Sequence, residues 1–388
     1  MFASLLGLNQ AIIVAGALVF VAAWLYVFLK KIEALNSLDD LDSQTRVPKT
    51  VVSVVVPARN EEKTIAGCVE SLLSQRGVSV EVIVVDDNSS DQTLRITQMY
   101  SDRGVKSVKS GSPPEGWVGK TWACEVGYRH SSGDWLLFTD ADTHFSEDVI
   151  ALALSKAEEK QAELITLYPR LRFNSVLHKL TMPILLTGLY VLGKPHMFQT
   201  GRAAFAFGSF ILIKREAYEK VGGHRAVRNA LLEDRALALR ALKAGLRVSF
   251  AKAFNKLTSS WNDDSKSLWN GMLRVFIPLM LNRSIKQKAP YIILTSLCLA
   301  IPIVILLSGN LPAFLAGYLA ASLALGHEAR LHSSRFVYGF LWYLGAVAVS
   351  AALLTAVVKT AGMPSVKWRG RNYLLGMGDM HEVVVKVC

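Results

Sequence analysis

Apolar positions in this chain follow two regimes. Between residues 51 and 250, short apolar runs alternate with stretches of helical spacing. The run VVSVVV at 51–56 is β-branched and ends at Pro57, as a buried strand would. Ile65, Cys68, Val69, Leu72 and Leu73 then recur at helical spacing, and Gly77 marks the stop. The run VEVIVV at 80–85 is a second buried strand. It leads into Asp86-Asp87-Asn88-Ser89-Ser90-Asp91, where Asp91 is placed to cap a helix through Tyr100. The pattern further predicts strands over 105–108, 135–139 and 163–168 and helices over 119–131 and 147–159. Later it predicts a strand over 204–213, a helix over 214–221 ended by Gly222-Gly223-His224, and a helix over 229–244 stopped by Gly245.

In the second regime the apolar residues are continuous. Residues 11–29 carry no charge and are long enough to cross a bilayer. Lys30-Lys31 follow at once, which is the reverse of a cleaved signal peptide, so the segment reads as an uncleaved anchor. Three further blocks occupy 291–307, 311–326 and 336–358. Two interrupted apolar stretches, 175–194 and 268–281, suit helices lying in the membrane interface. The expected organisation is an anchor (1–30), a linker (31–50), a soluble domain (51–260), interfacial helices (261–289), a transmembrane region (290–358) and a basic tail (359–388).

Strand–helix alternation with near-continuous apolar strands predicts an α/β fold, Rossmann-like, with a mostly parallel sheet flanked by helices. Ligands of such sheets bind beyond the carboxyl ends of the strands. Three predicted strand ends carry polar clusters: PARNE (57–61), DDNSSD (86–91) and TDADT (139–143). Together they describe a site for a charged ligand. Asp140 and Asp142, two apart past a strand end, are expected to converge on one point as oxygen ligands for Mg²⁺ or Mn²⁺. Neither Gly-x-Gly-x-x-Gly nor a Walker-type loop occurs in this region, which argues against dinucleotide dehydrogenases and P-loop enzymes. The loop SPPEGWVGKTWA (112–123) brings Lys120 to a helix start near the same strand ends. There it can meet a phosphate or solvent. Glu233-Asp234 stand at the start of another helix, where the helix dipole favours carboxylates.

Composition sharpens the second regime more than the first. Hydrophobic residues make up 51% of the 388 and mean hydropathy is +0.31, an excess carried by the apolar blocks. The net charge of +12 is assigned to contact with anionic lipid rather than nucleic acid, because Arg283, Lys286 and Lys288 directly precede an apolar block. The four cysteines show neither metal spacing nor a pairing pattern.

PARNE, VVDDNSSD (84–91), TDAD (139–142), GSF with GGH (208–210, 222–224) and LLED (231–234) occur in one order over about 51–250. In these the chain resembles the family 2 inverting glycosyltransferases of the GT-A fold. PPEGWVGKTWA (113–123), GHRAVRNALLED (223–234) and the tail WRGRNY (368–373) resemble membrane-bound members associated with hopanoid and carotenoid glycosylation. The resemblance implies roles residue by residue. Pro57, Ala58, Arg59, Glu61, Asp86, Asp87 and Asp140 would hold the nucleotide sugar, and from their places at helix starts Lys120 and Glu233 are added to that set. Asp142, with Asp140, would hold the divalent metal, and Asp234 would be the general base. Apart from the resemblance, a cytoplasmic tail would let Trp368, Arg369 and Arg371 approach the diphosphate or lipid headgroups, or stay a solvated basic tail. The implied activity is transfer of a sugar, from UDP-hexose, to a hydroxyl of a membrane lipid such as a carotenoid or hopanoid. Two other readings stay open: a polyprenyl-phosphate sugar transferase, and a catalytically silent sugar-nucleotide-binding membrane scaffold. The processive Gln-x-x-Arg-Trp motif is absent; Gly271-Met272-Leu273-Arg274-Val275 keeps only the arginine.

Nucleotide sugars are cytosolic, so the catalytic domain of an integral cell-membrane protein would face the cytoplasm. Lys359, Lys367, Arg369 and Arg371 place the tail there too. Three full late crossings would put it outside. One late block is therefore expected not to cross fully, and 311–326, bounded by Pro312 and Gly326, is the short candidate.

Overall fold

The structure is a computed structural model and describes residues 10–41, 48–261, 264–281, 283–362, 364–377 and 383–387. Residues 1–9 of the expected anchor, 42–47 of the linker, and 378–382 and Cys388 of the tail lie outside these. In chain order the elements are α1 (Gln10–Asn36), β1 (Asp39–Asp40), β2 (Val51–Ala58), α2 (Ile65–Leu73), β3 (Ser79–Asp86), α3 (Thr93–Gln98), β4 (Lys106–Lys109), α4 (Gly119–Arg129), β5 (Trp135–Phe138), β6 (His144–Phe145), α5 (Val149–Glu159), β7 (Leu164–Tyr168) and β8 (Arg170–Arg172). Then follow α6 (Val176–Gly188), β9 (Ile211–Lys214), α7 (Arg215–Lys220), α8 (Glu233–Lys243), β10 (Val248–Lys252), β11 (Leu257–Ser260), α9 (Ser265–Leu281), α10 (Ile285–Leu307), α11 (Leu311–Leu331), α12 (Trp342–Lys359), β12 (Ser365–Trp368), β13 (Arg371–Met377) and β14 (Val383–Val387). They form two compact units.

The first unit comprises Ser37–Arg172, Lys194–Ser260 and Ser365–Cys388. Its eight-stranded sheet has the order β1-β10-β7-β9-β5-β2-β3-β4. Every pairing is parallel except those of β9, which runs antiparallel between β5 and β7. Strands β5 and β7 are buried at every position, as expected of a sheet with helices on both faces. Valines from β2 and β3 share one core with Ile65, Cys68, Val69 and Leu72 of α2 and with Ile150, Ala153 and Leu154 of α5. The register sets the site. Ala58 pairs with Asp86, and the Asp87 amide donates to the Ala58 carbonyl at 2.8 Å, so Arg59 and Asp87 leave adjacent strands side by side.

The strand expected over 204–213 begins only at Ile211. Threonine hydroxyls stand in for a ladder before it. Thr139 Oγ1 donates to the Ser209 carbonyl (2.7 Å), Thr166 Oγ1 to the Phe210 carbonyl (2.9 Å), and the Phe207 amide donates to Thr166 Oγ1 (3.0 Å). The helix expected from 229 begins at Glu233.

The second unit comprises the described part of Met1–Asn36, Phe173–Gly193 and Trp261–Pro364. Four of the described segments are long and apolar enough to cross a membrane: Gln10–Asn36, Val176–Thr200, Lys286–Leu307 and Phe336–Lys359. Within the unit, α1 and α11 run side by side in the same direction. Ile13 packs near Ala313 and Phe314, Phe20 lies against Gly317, and Lys31 Nζ meets Glu328 Oε2 at 2.5 Å. Helix α10 runs the opposite way, with Ile305 against Ile13 and Ala17. After α11 the chain turns back along it, with Phe336 against Gly326 and Gly339 against Ser322. Trp342 then packs on Phe20 and Trp24, beside the middle of α1. There the chain reverses as α12, whose last turn hands Thr360 to Lys288 Nζ at 2.9 Å. Both ends of Phe336–Lys359 therefore lie at the Lys31–Lys288 end of this unit. The sequence pointed to 311–326 as the incomplete crossing. That block is a 21-residue helix alongside α1 and is not among the four segments named above, whereas the last block, which is among them, turns back on itself at Trp342.

Candidate active site

Strands β5, β2 and β3 are neighbours, so TDAD, PARNE and DDNSSD meet at one edge of the sheet. Strand alternation does not reach Asp140 and Asp142, because β5 ends at Phe138 and a turn follows, closed by the Thr143 amide on the Asp140 carbonyl (3.2 Å). The two side chains consequently take different partners. Asp140 Oδ1 accepts from Lys120 Nζ at 2.6 Å, whereas Asp142 Oδ1 accepts from Ser259 Oγ of β11 at 3.2 Å. Arg172 secures the turn by donating to the Asp142 carbonyl at 3.0 Å.

Lys120 sits in the first turn of α4, and its ammonium bridges Asp140 and Glu233, the latter at 2.5 Å. Burial opposes its charge, but Asp140, Glu233 and Asp234 outweigh burial and hold it well above the usual lysine range. Gly208 shows how closely these groups gather. A Cβ built there would lie 3.3 Å from Lys120 Nζ and 3.4 Å from an oxygen of each of Asp140 and Asp234. Asp234 itself stands in the first turn of α8, with Oδ1 accepting from the Arg235 amide at 2.7 Å. GGH lies beneath. Gly223 (φ 53°) passes 2.6 Å from the Tyr218 ring by its missing Cβ, Tyr218 Oη is 2.8 Å from His224 Nδ1, and the His224 ring packs on Phe138. Burial, with some help from Lys120, lowers the His224 pKa to about 3, so the ring is neutral and structural.

Burial, and then the nearby carboxylates Asp140 and Glu61, push the Asp142 carboxyl well above its usual range, despite Arg369 and Ser259. A cation would relieve that repulsion, so this position fits a hard divalent ion. Among the described residues no three His, Cys, Asp or Glu side chains form a ready-made metal cage. The fit is therefore one protein carboxylate completed by ligand oxygens and water, as Mg²⁺ and Mn²⁺ accept.

The tail's role in the site was the least visible from sequence. Strands β12 and β13 form a hairpin with Arg369-Gly370 as its turn, both at positive φ (48° and 79°). Arg371 grips Asp87 bidentately at 2.5 and 2.9 Å, and Arg369 pairs with Glu61. Arg59 ties the turn down. Its Nε donates to the Arg369 carbonyl (2.8 Å) and its Nη1 to the carbonyls of Asp87 (2.5 Å) and Asn88 (3.1 Å). Trp368 packs on Tyr373. The alternation of Val366 and Trp368, then Tyr373 and Leu375, about Arg369-Gly370 was a readable hairpin signal. Of the residues singled out from sequence, Lys120, Asp140, Glu233 and Asp234 come together, Asp142 lies beside them, and Arg59, Glu61 and Asp87 are held by the hairpin. Asp86 accepts weakly from the Ser89 amide (3.4 Å), and Pro57 and Ala58 close β2.

A parallel-rich sheet with an acidic cluster past its strand ends is what a GT-A fold requires, and comparison with known proteins agrees. Residues 53–222 match the family model of Glycosyl transferase family 2. It is 29% identical over 208 residues to a 4,4'-diaponeurosporenoate glycosyltransferase of Staphylococcus aureus, covering 52% of this chain and 54% of that protein. A protein of the same name from Staphylococcus haemolyticus is 29% identical over 185 residues, 47% of this chain and 49% of that one. The chain spans about half the length of the curated relatives it matches. Among solved structures, a mannosyltransferase from Pyrobaculum calidifontis, in complex with GDP-Man and Mn²⁺, has a TM-score of 0.53 at 18% identity. That match covers 90% of this chain and 99% of that one, and shows the shared fold.

Proposed function

We propose that the chain transfers a hexose from UDP-hexose to a hydroxyl of a membrane lipid, with inversion at the anomeric carbon and with Mg²⁺ or Mn²⁺ bound through Asp142. The observation that carries this reading is the convergence of Lys120, Asp140 and Asp234 around Gly208 at the strand-end site. Arg59, Glu61, Asp86 and Asp87 line the nucleoside end. Lys120 ties Asp140 to Glu233, and Asp234, in the first turn of α8, is the carboxylate that takes the acceptor's proton. The acceptor oxygen bonds to the anomeric carbon, the bond from that carbon to the diphosphate breaks, and the nucleoside diphosphate leaves. One displacement with one base inverts the centre. Bound metal would supply Lewis-acid stabilisation of the leaving diphosphate. The relatives' names support a lipid-like acceptor. The apolar helices support an integral membrane protein, with residues 51–260 catalytic and cytoplasmic, 261–289 interfacial and 290–358 in the bilayer.

Purified protein assayed with a panel of nucleotide sugars, total membrane lipid and Mn²⁺ tests this. Transfer is expected with an inverted product anomer. Asp234→Asn should keep donor binding and lose about 10²–10⁴-fold in kcat. An Asp234→Asn enzyme that loses only donor affinity, or a retained anomer, would overturn the assignment.

A further inference from the structure

We propose that the C-terminal hairpin (β12–β13), outside the family-matched segment, completes the nucleoside-diphosphate site: Arg371 is a positioning residue that sets Asp87, and Arg369 is the cation that turns from Glu61 to the diphosphate. This rests on the donor-site reading above. Glu61, Asp86, Asp87, Asp140 and Asp142 gather at neighbouring strand ends, yet the ligand expected there is an anion. Within residues 53–222, Arg59, Lys120 and Arg172 contact this cluster, and each is committed: Arg59 and Arg172 to backbone carbonyls and Lys120 to Asp140 and Glu233. The hairpin adds two more guanidinium groups at the same strand ends.

Their geometries divide the work. Arg371 is 16% exposed and uses two nitrogens on both oxygens of a buried Asp87, a fork-to-fork pair that fixes the carboxylate's plane. The fold makes room for this pair. A Cβ on Gly119 would fall 1.7 Å from Arg371 Nη1 and 2.6 Å from Asp87 Oδ2, although Gly119 has no positive φ to explain it. The Gly119 backbone also faces the Tyr373 hydroxyl of β13, so α4 and the hairpin meet beside Asp87. Arg369 differs. It is 38% exposed, projects from a turn and has Glu61 as its carboxylate partner. Its side chain can exchange that carboxylate for a phosphate without disturbing the hairpin, because the turn is held separately by Arg59 on the Arg369 carbonyl.

The test is calorimetric titration of the full chain in detergent with Mn²⁺, using UDP, GDP, ADP, CDP and dTDP and the matching nucleosides. Arg371→Ala should weaken nucleoside and diphosphate binding alike, by about tenfold or more. In an Asp87→Asn background it should add nothing further, the signature of action through Asp87. Arg371→Lys, which keeps the charge but not the fork, should recover only part, and it replaces the alanine variant if that one fails to fold. Arg369→Ala should weaken the diphosphate by about tenfold and leave the nucleoside unchanged. Additive losses for Arg371 and Asp87, wild-type affinity in Arg371→Ala, or an Arg369→Ala loss equal for nucleoside and diphosphate would overturn the inference. A wild-type chain that binds none of the five nucleotides would instead overturn the donor-site reading, and the inference with it.

Discussion

Lys120→Met gives the sharpest test of how the site is held together. The substitution keeps the length of the stem and deletes the ammonium that bridges Asp140 and Glu233. Glu233 is 6% exposed, so it would be left charged, buried and without its cation, whereas Asp140, 35% exposed, could turn to water. Removing one partner of a buried pair costs about 3–5 kcal/mol. The lower end applies, since half of the pairing is solvent-screened. At about 2–4 °C per kcal/mol for a domain of this size, Tm should fall by about 6–12 °C. The assay is thermal unfolding of the purified protein in detergent, for the wild type, K120M, E233Q and K120M/E233Q. Neutralising Glu233 removes the stranded charge, so the double variant should regain most of the loss despite carrying more changes. A K120M protein within 2 °C of wild type (roughly 1 kcal/mol or less), or a double variant no better than K120M, would refute the account of Lys120 as the tie between β5 and α8.

Three further outcomes follow from other parts of the molecule. Asp142→Asn should abolish transfer and metal-dependent nucleotide binding while keeping or raising Tm, since it removes a carboxyl crowded by Asp140 and Glu61; full activity in excess EDTA would defeat the metal assignment. His224 titrates at about 3 in the fold against about 6.5 unfolded, so only the unfolded chain takes up that proton between those values. Its contribution is complete above pH 6.5 and is lost as pH falls towards 3, by up to about 1.4 kcal/mol per pH unit, so the Tm advantage of wild type over His224→Gln should shrink between pH 7.5 and 5; a constant advantage would refute it. Because Phe336–Lys359 enters and leaves at one end of its unit, Ser365→Cys in a chain lacking Cys298 and Cys388 should resist a membrane-impermeant thiol reagent in intact cells, and ready labelling would place the tail outside.

Much of the sheet was legible because its parallel strands are buried on both faces and end in polar clusters, which a continuous apolar run followed by PARNE or DDNSSD displays directly. The direction of β9 was not legible, since Ile211, Leu212 and Ile213 would look the same in a parallel strand. Nor was the parting of Asp140 from Asp142, because strand alternation holds only while the strand continues, and Phe138 is its last residue. The arginines of WRGRNY were noticed for their charge. That they answer Glu61 and Asp87, some three hundred residues earlier, is set by tertiary folding and leaves no local periodicity. The turn within the last apolar block was hidden for a related reason. Hydropathy measures how much apolar chain there is, whereas the reversal at Trp342 is fixed by its packing on Phe20 and Trp24.

The placement of β9 also dictates an order of events during synthesis. Strands β2, β3, β4 and β5 are contiguous in sequence and neighbours in the sheet, so half of it can pair as it leaves the ribosome. Strand β7 has no such luck: its neighbours are β9 and β10, both made later, and Phe173–Gly193 is made in between. Until Ile211–Lys214 emerges, β5 presents an unpaired apolar edge of the kind that recruits other chains. The nascent protein thus carries an open sheet through the whole time that α6 is being produced, and translation speed across 173–210 becomes a determinant of yield. Chains truncated before residue 211 should aggregate, while those ending just after β10 can close the sheet.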